Sequence, residues 1–217
     1  MSKAIRPWTD QEKEFITNNI KLDPQTGILY WSKDQTNRKG NPKAGDPVNV
    51  YLMNPKPRRY YYFALYRPVT PHQVNLRVHH VVWFLTHGYQ SMQLIDHING
   101  DPLDNRPVNL RQATRNQNIR NQVKHCVTEG SPYKGIHRRT GATRFVSSIS
   151  ADNLTTRLGS FTDPIVAART YDLASICLHG EYGRRNFPDS DYSPEQIATM
   201  RDYLQAKRQP ATSGTIH

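Results

Sequence analysis

The chain has 217 residues, and at roughly 150 residues per domain this length predicts one or two domains rather than a single very large fold. Its 29 Lys and Arg outnumber its 18 Asp and Glu, which gives a formal charge of +11 and indicates a polyanionic partner. The only cysteines, Cys126 and Cys177, exclude a disulfide framework and a cysteine-based zinc ribbon.

No stretch of the sequence has the composition of a membrane span. The longest apolar run, Val81–Leu85, is far shorter than the roughly 20 residues that a spanning helix needs. The opening Met1–Lys3 begins no signal peptide. We therefore expect a cytoplasmic protein that contacts no membrane. Because the sequence has only two cysteines, we also expect that it binds no zinc.

The first third of the chain predicts a helix followed by short strands. A polar helix is expected over Trp8–Ile20, with Thr9 as its N-cap and Glu12 as the reciprocal partner of a capping box. Residues 33–59 carry many prolines and polar residues and are expected to be rich in loops. Strands are expected on either side of that stretch, over Ile28–Trp31 and Tyr60–Leu65.

A strand, a helix and a hairpin are predicted next. Val74–Val78 alternates like a strand, and His79–His87 has the pattern of a short helix that Gly88 closes. Two apolar residues then precede an Asp96-His97 pair and an Asn99-Gly100 turn, so polar side chains lie at the end of a strand. A second capping box, formed by Thr114 and Gln117, begins a helix that carries Asn118 in its first turn.

This combination suits the hydrolysis of a phosphodiester. The reaction needs a base that deprotonates water and a hard cation that neutralises charge on the phosphate and the leaving oxygen. A neutral imidazole such as His97 suits the base. The oxygens of Asp96 and Asn118 suit Mg²⁺ or Mn²⁺, because Mg²⁺ is commonly held by one or two protein groups. Neighbours on a regular strand point to opposite faces, so we predict a bend or bulge at Asp96 and His97.

Several motif pieces in residues 74–121 resemble the HNH endonucleases of the phage and intron homing type. They are Val78-His79, Asp96-His97-Ile98-Asn99-Gly100-Asp101, Asp104-Asn105-Arg106, Asn109-Leu110-Arg111 and Asn118. The resemblance implies a ββα-metal fold, His97 as general base, Asp96 and Asn118 as metal ligands, and a phage-infected or bacterial host cell. It also implies that Asn109, which we place with His97 in the catalytic set, fixes the hairpin by hydrogen bonds. The chain departs from the family at Asn118, which replaces the final His, and at His80, where Arg is common.

Each of these residues also has a purely structural interpretation. His97 could be a turn histidine, and Asp96 and Asn118 could cap a helix or brace a loop. Asn109 is expected to be structural, and His79 to be a packing or orienting residue at a helix start. These alternatives stay open at the level of sequence.

A second domain is predicted after a polar stretch that ends in Gly130-Ser131-Pro132. Three β-like runs are followed by a helix over Asp163–His179, in which small alanines would pack against the sheet. A last helix is expected from Ser193 with Pro194 at its first position, and residues 209–217 are expected to be disordered. The three β-like runs cover residues 133–139, 143–150 and 154–161.

Basic residues concentrate on this predicted sheet. If Ile136, Phe145, Ile149 and Leu158 face the core, alternation places a row of polar and basic side chains on the opposite face, which could enter a DNA groove. Further cations surround the hairpin and could clamp phosphates, although a merely solvated basic face is the alternative. The predicted DNA contacts are Arg106, Arg111, Arg115, Arg120, Lys134, His137, Arg139, Arg144 and Arg157.

Motifs in residues 131–188 resemble the DNA-binding domain of the Apetala-two and ethylene-response-factor type. They are Tyr133-Lys134-Gly135-Ile136, Leu158-Gly159-Ser160-Phe161, Ala167-Ala168-Arg169-Thr170-Tyr171-Asp172, Leu178-His179-Gly180 and Asn186-Phe187-Pro188. The resemblance implies a three-stranded sheet that reads double-stranded DNA. Ser148, Ser150 and Arg157 replace residues that plant members often carry, so the plant target sequence does not transfer.

Together these features predict an α+β protein. It would consist of an N-terminal β-rich segment (1–73), an HNH unit (74–124), a linker (125–132), a sheet-plus-helix DNA-binding domain (133–190), and a C-terminal helix and tail (191–217). The predicted function is a monomeric, metal-dependent homing-type endonuclease that cuts double-stranded DNA. A non-catalytic, sequence-specific transcription regulator is the alternative.

Overall fold

A computed structural model describes residues 5–36, 38, 40–53, 59–66, 69–70, 72–122, 131–139 and 141–208. The fold mixes helices with antiparallel sheets, which confirms the predicted α+β class. The chain divides into two compact units, one up to Asn118 and the other from Ile119 onwards. Within the described residues, no helix has the length and apolar character required to cross a membrane.

The first unit begins with the predicted capped helix. The Thr9 side chain accepts a hydrogen bond from the Glu12 backbone, and the Glu12 carboxylate accepts one from the Thr9 backbone. This reciprocal pair satisfies N–H groups that the first helical turn leaves open. The helix leads into an antiparallel hairpin whose turn contains Gly27 at a φ of +72°. The elements are α1 (Asp10–Asn19), β1 (Ile20–Leu22) and β2 (Leu29–Trp31).

A three-stranded antiparallel sheet follows, and a helix packs against it. One of its strands lies in the stretch that we expect to be rich in loops, so that expectation is wrong for residues 50–53. The helix ends as predicted at Gly88, which has a φ of +78°. The elements are β3 (Val50–Met53), β4 (Tyr60–Leu65), β5 (Val74–Arg77) and α2 (Val78–His87).

The predicted hairpin ends the first unit, and the predicted helix after it begins in that unit and continues past the boundary at Asn118. The hairpin strands pair without interruption from Leu94 opposite Ala113 to His97 opposite Leu110, which excludes a bulge at Asp96 and His97, and the chain enters a turn directly after His97. The capping box of Thr114 and Gln117 is confirmed by both of its hydrogen bonds. The elements are β6 (Leu94–His97), a 3₁₀ turn (Pro107–Asn109), β7 (Leu110–Ala113) and α3 (Arg115–Asn121).

One hydrophobic core joins these parts of the first unit. It runs from Trp8 on the N-terminal side to Ile95 and Leu110 in the hairpin, with all three tryptophans of the chain among its buried members. The boundary that we predict between residues 73 and 74 therefore does not separate two cores. Of the predicted linker, residues 125–130 lie outside the described residues, as does the predicted disordered tail 209–217.

The second unit is the predicted sheet packed on a helix. Its strands are antiparallel in the order β10, β9, β8, and the register shifts between Arg157 and Gly159, which marks a bulge at Leu158. Ala167, Ala168 and Ala174 have no exposed surface, so the predicted alanine stripe is confirmed as core. The elements are β8 (Ile136–His137), β9 (Phe145–Ala151), β10 (Leu154–Phe161), α4 (Pro164–His179) and α5 (Pro194–Arg208).

A buried carboxylate organises the chain that follows α4. Asp172 accepts hydrogen bonds from the backbone N–H groups of Asn186 and Phe187, from the Asn186 side chain and from the Tyr192 hydroxyl. Buried polar groups are stable only when they are paired in this way. Asp172 therefore fixes the path of the chain between α4 and α5.

Candidate active site

His97 is the last residue of β6 and is buried. Its Nε2 atom lies 3.2 Å from Oδ1 of Asn105, which is also buried. The amide nitrogen of Asn105 donates to the backbone oxygen of Leu103, at 3.3 Å, so its oxygen faces the imidazole. Asn105 belongs to the motif piece Asp104-Asn105-Arg106, but the sequence alone predicts no role for it. Asn105 lies eight residues after His97 in the sequence, and only the folding of the hairpin brings the two side chains together.

The environment of His97 favours its neutral form at pH 7. Burial lowers the pKa of the imidazole because a charged ring loses its solvation. The hydrogen bond to Asn105 and the charge of Asp96 act in the opposite direction and offset part of this effect. A neutral imidazole with one unprotonated ring nitrogen is the form that can accept a proton from water.

Two aromatic side chains, Tyr60 of β4 and His79 of α2, lie next to this imidazole. The His79 ring lies edge-on to the His97 ring with centroids 5.0 Å apart, and the Tyr60 ring lies 6.3 Å away. Burial holds the pKa of His79 well below its usual value and lowers that of His80 to about 4. His79 is thus a neutral residue in the first turn of α2 that packs on His97, as its structural interpretation expects.

Asp96 lies directly opposite Arg111 in the hairpin and forms an ion pair with it. Nη2 and Nε of Arg111 donate to Oδ2 of Asp96 at 3.0 and 3.1 Å, and the two side chains are only 11% and 6% exposed. We predict Arg111 to be a DNA contact, and the structure differs, because its guanidinium is buried against a carboxylate instead of lying on the surface.

Asn109 forms several hydrogen bonds within the hairpin, as its structural interpretation expects. Its Oδ1 atom accepts from the backbone of Asn99 at 2.9 Å, and its Nδ2 atom donates to the backbone oxygen of Asp104 at 2.8 Å. Its own backbone oxygen accepts from Ile98. These bonds close the loop between β6 and β7, so Asn109 acts on the hairpin rather than on a substrate.

The donor chemistry of Asp96 and Asn118 fits a hard divalent cation. Asp96 has carboxylate oxygens, and Asn118 has a half-buried amide whose side chain forms no hydrogen bond with other described residues. The described part of the chain contains no cluster of three His, Cys, Asp or Glu residues able to hold a metal. A cation that keeps several of its waters needs no such cluster. It would compete with Arg111 for Oδ2 of Asp96.

The other cations near the hairpin differ in how they are engaged. Arg106 is half-exposed and forms a short ion pair with Asp104, which lowers the pKa of that carboxyl to about 2. Arg115 is exposed at the start of α3. Arg120, in the second unit, lies 3.8 Å from Asp152. Arg106 and Arg115 remain accessible to a phosphate.

The sheet of the second unit has the predicted alternation. Its buried members, Ile136, Phe145, Ile149 and Leu158, pack with α4 and α5, which confirms their predicted inward direction. On the opposite face the basic side chains are exposed or half-buried, and Arg144 also donates to the backbone oxygen of Ser160 at 2.6 Å. The members of this basic face are His137, Arg139, Arg144 and Arg157.

Lys134 differs from the exposed cation that we predict. Its ammonium donates to the backbone oxygens of Arg120 and Gln122, which lie at and beyond the end of α3. Burial lowers the pKa of Lys134 to about 8. This side chain satisfies carbonyls that the helix end leaves open, and it is not part of the exposed basic face.

Comparison with known proteins assigns a family likeness to the first unit. A family model described as HNH endonuclease matches residues 76–120. The matched segment contains the proposed base His97, its neighbour Asp96, the hairpin residue Asn109 and Asn118. The hairpin residues described above, and Asn118 of the helix that follows them, therefore all lie in a segment similar to HNH endonucleases.

Curated proteins similar to this chain are plant transcription factors. Ethylene-responsive transcription factor ERF012 of Arabidopsis thaliana is 40% identical over 72 residues, which are 32% of this chain and 31% of that protein. Dehydration-responsive element-binding protein 1F of Oryza sativa subsp. indica is 41% identical over 61 residues, 27% of this chain and 28% of that protein. The chain thus spans about a third of the length of these relatives. It combines a segment similar to HNH endonucleases with one similar to ethylene-responsive transcription factors.

Proposed function

We propose that this chain is a metal-dependent, homing-type HNH endonuclease that hydrolyses double-stranded DNA. The observation that carries the proposal is the buried, neutral His97, fixed through Nε2 by Asn105 within the segment that the HNH endonuclease family model matches. A histidine that only packs in a core requires no polar neighbours, whereas His97 ends β6 directly after Asp96 and bonds to Asn105. The homing type, a monomeric state and a phage-infected or bacterial cell belong to the same proposal and rest on the motif resemblance.

In this proposal His97 acts as the general base. Its unprotonated ring nitrogen takes a proton from water, the water oxygen forms a bond to phosphorus, and the bond from phosphorus to the leaving oxygen breaks. Arg106 and Arg115 would hold neighbouring phosphates. Asp96 and Asn118 would hold Mg²⁺ or Mn²⁺, which when bound neutralises charge on the phosphate and the leaving oxygen.

The basic face of the second unit would supply DNA recognition. Arg157 is exposed on β10, and Arg139 is exposed two residues after the end of β8, while the other face of the sheet packs in the core, so both guanidinium groups are available to phosphates and base edges. The similarity to plant transcription factors supports this role. Two tethered binding units raise each other's effective concentration on one long site.

The test is nicking of a supercoiled plasmid that carries candidate sites, with Mg²⁺ or with a chelator. We expect wild-type nicking to require the metal and to fall about 100-fold or more in His97→Ala, the range typical of a lost general base. His72→Ala is the matched control, because His72 is exposed and should leave the rate unchanged. Equal nicking by His97→Ala and wild type would refute the proposed base.

A transcription regulator without nuclease activity is the second candidate. The similarity to ethylene-responsive transcription factors favours it, and the second unit has exposed basic side chains on and beside its sheet. Tight, salt-dependent binding of duplex DNA with no nicked product in Mg²⁺ or Mn²⁺ would support this candidate over the endonuclease.

A further inference from the structure

The turn between β1 and β2 lies against the residue that holds His97. Gly27 has a φ of +72°, and a methyl group added to it would lie 2.4 Å from the carbonyl carbon of Asn105 and 2.5 Å from the backbone nitrogen of Arg106. Real Cβ atoms do not approach backbone atoms so closely. The backbone of the turn is therefore in direct contact with the backbone at Asn105, and only glycine allows it.

The same turn is stiffened from within by Asp23. Its carboxylate accepts from the backbone of Gln25 at 2.9 Å and from the Thr26 hydroxyl at 2.7 Å, while its backbone oxygen accepts from Gly27 at 2.8 Å. Side-chain bonds of this kind hold an aspartate turn in one shape. These bonds thus hold the part of the turn that contacts Asn105 in one conformation.

The bond between Asn105 and His97 determines which ring nitrogen carries the proton. An amide oxygen can only accept, so Oδ1 of Asn105 at 3.2 Å requires an N–H at Nε2 of His97. In a neutral imidazole the other nitrogen, Nδ1, then has the lone pair. The donation from the Asn105 amide nitrogen to Leu103 prevents the amide from turning over without losing that bond.

We propose that the turn at residues 23–27 braces the general base: by seating Asn105 it keeps the proton of His97 on Nε2 and the lone pair on Nδ1. Asn105 and Gly27 are positioning residues, because each would act through His97 and not on the substrate itself. The importance of this tautomer for catalysis rests on the proposed function, whereas the brace itself does not. The N-terminal segment thereby acquires a role in the reaction centre.

The first measurement is long-range ¹H–¹⁵N correlation spectroscopy on the full chain with ¹⁵N-labelled histidine, which distinguishes the two neutral tautomers. The His97 signals are identified by their loss in His97→Gln. We expect wild type to hold His97 as the Nε2–H tautomer, Asn105→Ala to mix in the other tautomer, and Asn105→Asp to restore the wild-type pattern, since it keeps an acceptor oxygen. A wild-type Nδ1–H tautomer, or an unchanged Asn105→Ala spectrum, would overturn the proposal.

The turn is tested by Gly27→Ala with Gly88→Ala as its control. Both glycines have similar positive φ values, +72° and +78°, but a methyl group at Gly88 meets nothing within 4 Å. Both variants share the left-handed strain, and only Gly27→Ala pushes on Asn105. We expect Gly27→Ala to reproduce the mixed tautomers of Asn105→Ala and Gly88→Ala to match wild type. If Gly27→Ala does not fold, Asp23→Ala loosens the same turn without adding an atom, and an unchanged His97 signal there would contradict the brace.

Nicking kinetics connect the brace to the proposed activity. Misplacing a reacting group by about 1 Å reduces rates by up to about 100-fold. We therefore expect Asn105→Ala to lower kcat about 10- to 100-fold with little change in KM, and Asn105→Asp to recover most of it. A protein that shows the expected tautomers but never nicks DNA would refute the endonuclease and leave the brace standing. Tautomers that ignore Asn105 in an active nuclease would refute only the brace.

Discussion

Replacing Arg111 by Met should destabilise the first unit strongly. The guanidinium and the Asp96 carboxylate are both nearly buried and about 3 Å apart, which at an effective dielectric constant of about 20 corresponds to an attraction of about 5 kcal/mol. Methionine fills similar space but leaves the carboxylate without this partner. Breaking one side of a buried pair reduces the free energy of unfolding by about 3–5 kcal/mol.

Urea unfolding followed by tryptophan fluorescence measures this effect selectively, because all three tryptophans belong to the core of the first unit. With a slope of about 2 kcal/mol per molar urea, the midpoint should fall by about 1.5–2.5 M. Arg106→Met is the matched control on the same hairpin. The Arg106 side chain is 48% exposed, against 11% for Arg111, so water can replace the lost partner of Asp104 and the midpoint should move far less.

A double variant distinguishes the cost of an unpaired buried charge from the cost of losing both charges. Asp96→Leu combined with Arg111→Met removes both charges and should recover most of the stability that Arg111→Met loses, because no buried charge is left unpaired. Equal midpoint shifts in Arg111→Met and Arg106→Met, or no recovery in the double variant, would refute the reasoning that the Asp96 pair is structurally buried.

Other predictions concern the second unit. Gly135→Ala should abolish its cooperative unfolding in circular dichroism, because the new methyl group would overlap the Tyr171 ring, whereas Gly141→Ala, at a similar φ in open space, should cost only about 1–2 kcal/mol. The pKa of Lys134, lowered to about 8, means that the unfolded chain binds more protons between pH 8 and its ordinary value of 10.5. Stability should therefore rise with pH across that window, and Lys134→Met should flatten the rise in urea titrations at each pH. Arg157→Ala should reduce the slope of log binding constant against log salt by about 1 in DNA titrations, while Lys134→Ala should leave that slope unchanged.

Local rules predicted those elements whose signals lie within a few residues. The capping boxes at Thr9 and Thr114 and the helix end at Gly88 depend only on neighbours along the chain, and all three are confirmed. The sequence does not predict strand β3, because Val50–Met53 gains its partners from β4 across an intervening stretch rich in proline and basic residues. Non-local pairing of this kind leaves little trace in composition.

In the candidate site, too, features that depend on local sequence are predictable and features that depend on the folded core are not. The sequence predicts Asp96, His97 and Asn118 as site residues, because their identities and spacing match the motif. The sequence does not reveal the ion pair of Arg111 with Asp96, since the two residues become neighbours only when β6 pairs with β7. Asn105 went unassigned because its contacts with His97 and Gly27 join three stretches of chain that only the folded core brings together.

The buried acid of α4 limits how the C-terminal part of this protein can vary. Because the Tyr192 hydroxyl donates to Asp172 from just ahead of α5, a chain shortened before that tyrosine would leave the acid one donor short in a water-free interior. Met200 and Leu204 of α5 pack in the core of the second unit, so truncation before Tyr192 would remove both this packing and the hydrogen bond to Asp172. Homologues that lack Tyr192 and the helix after it should carry a different side chain in place of the aspartate, and loss of the two features should coincide in evolution.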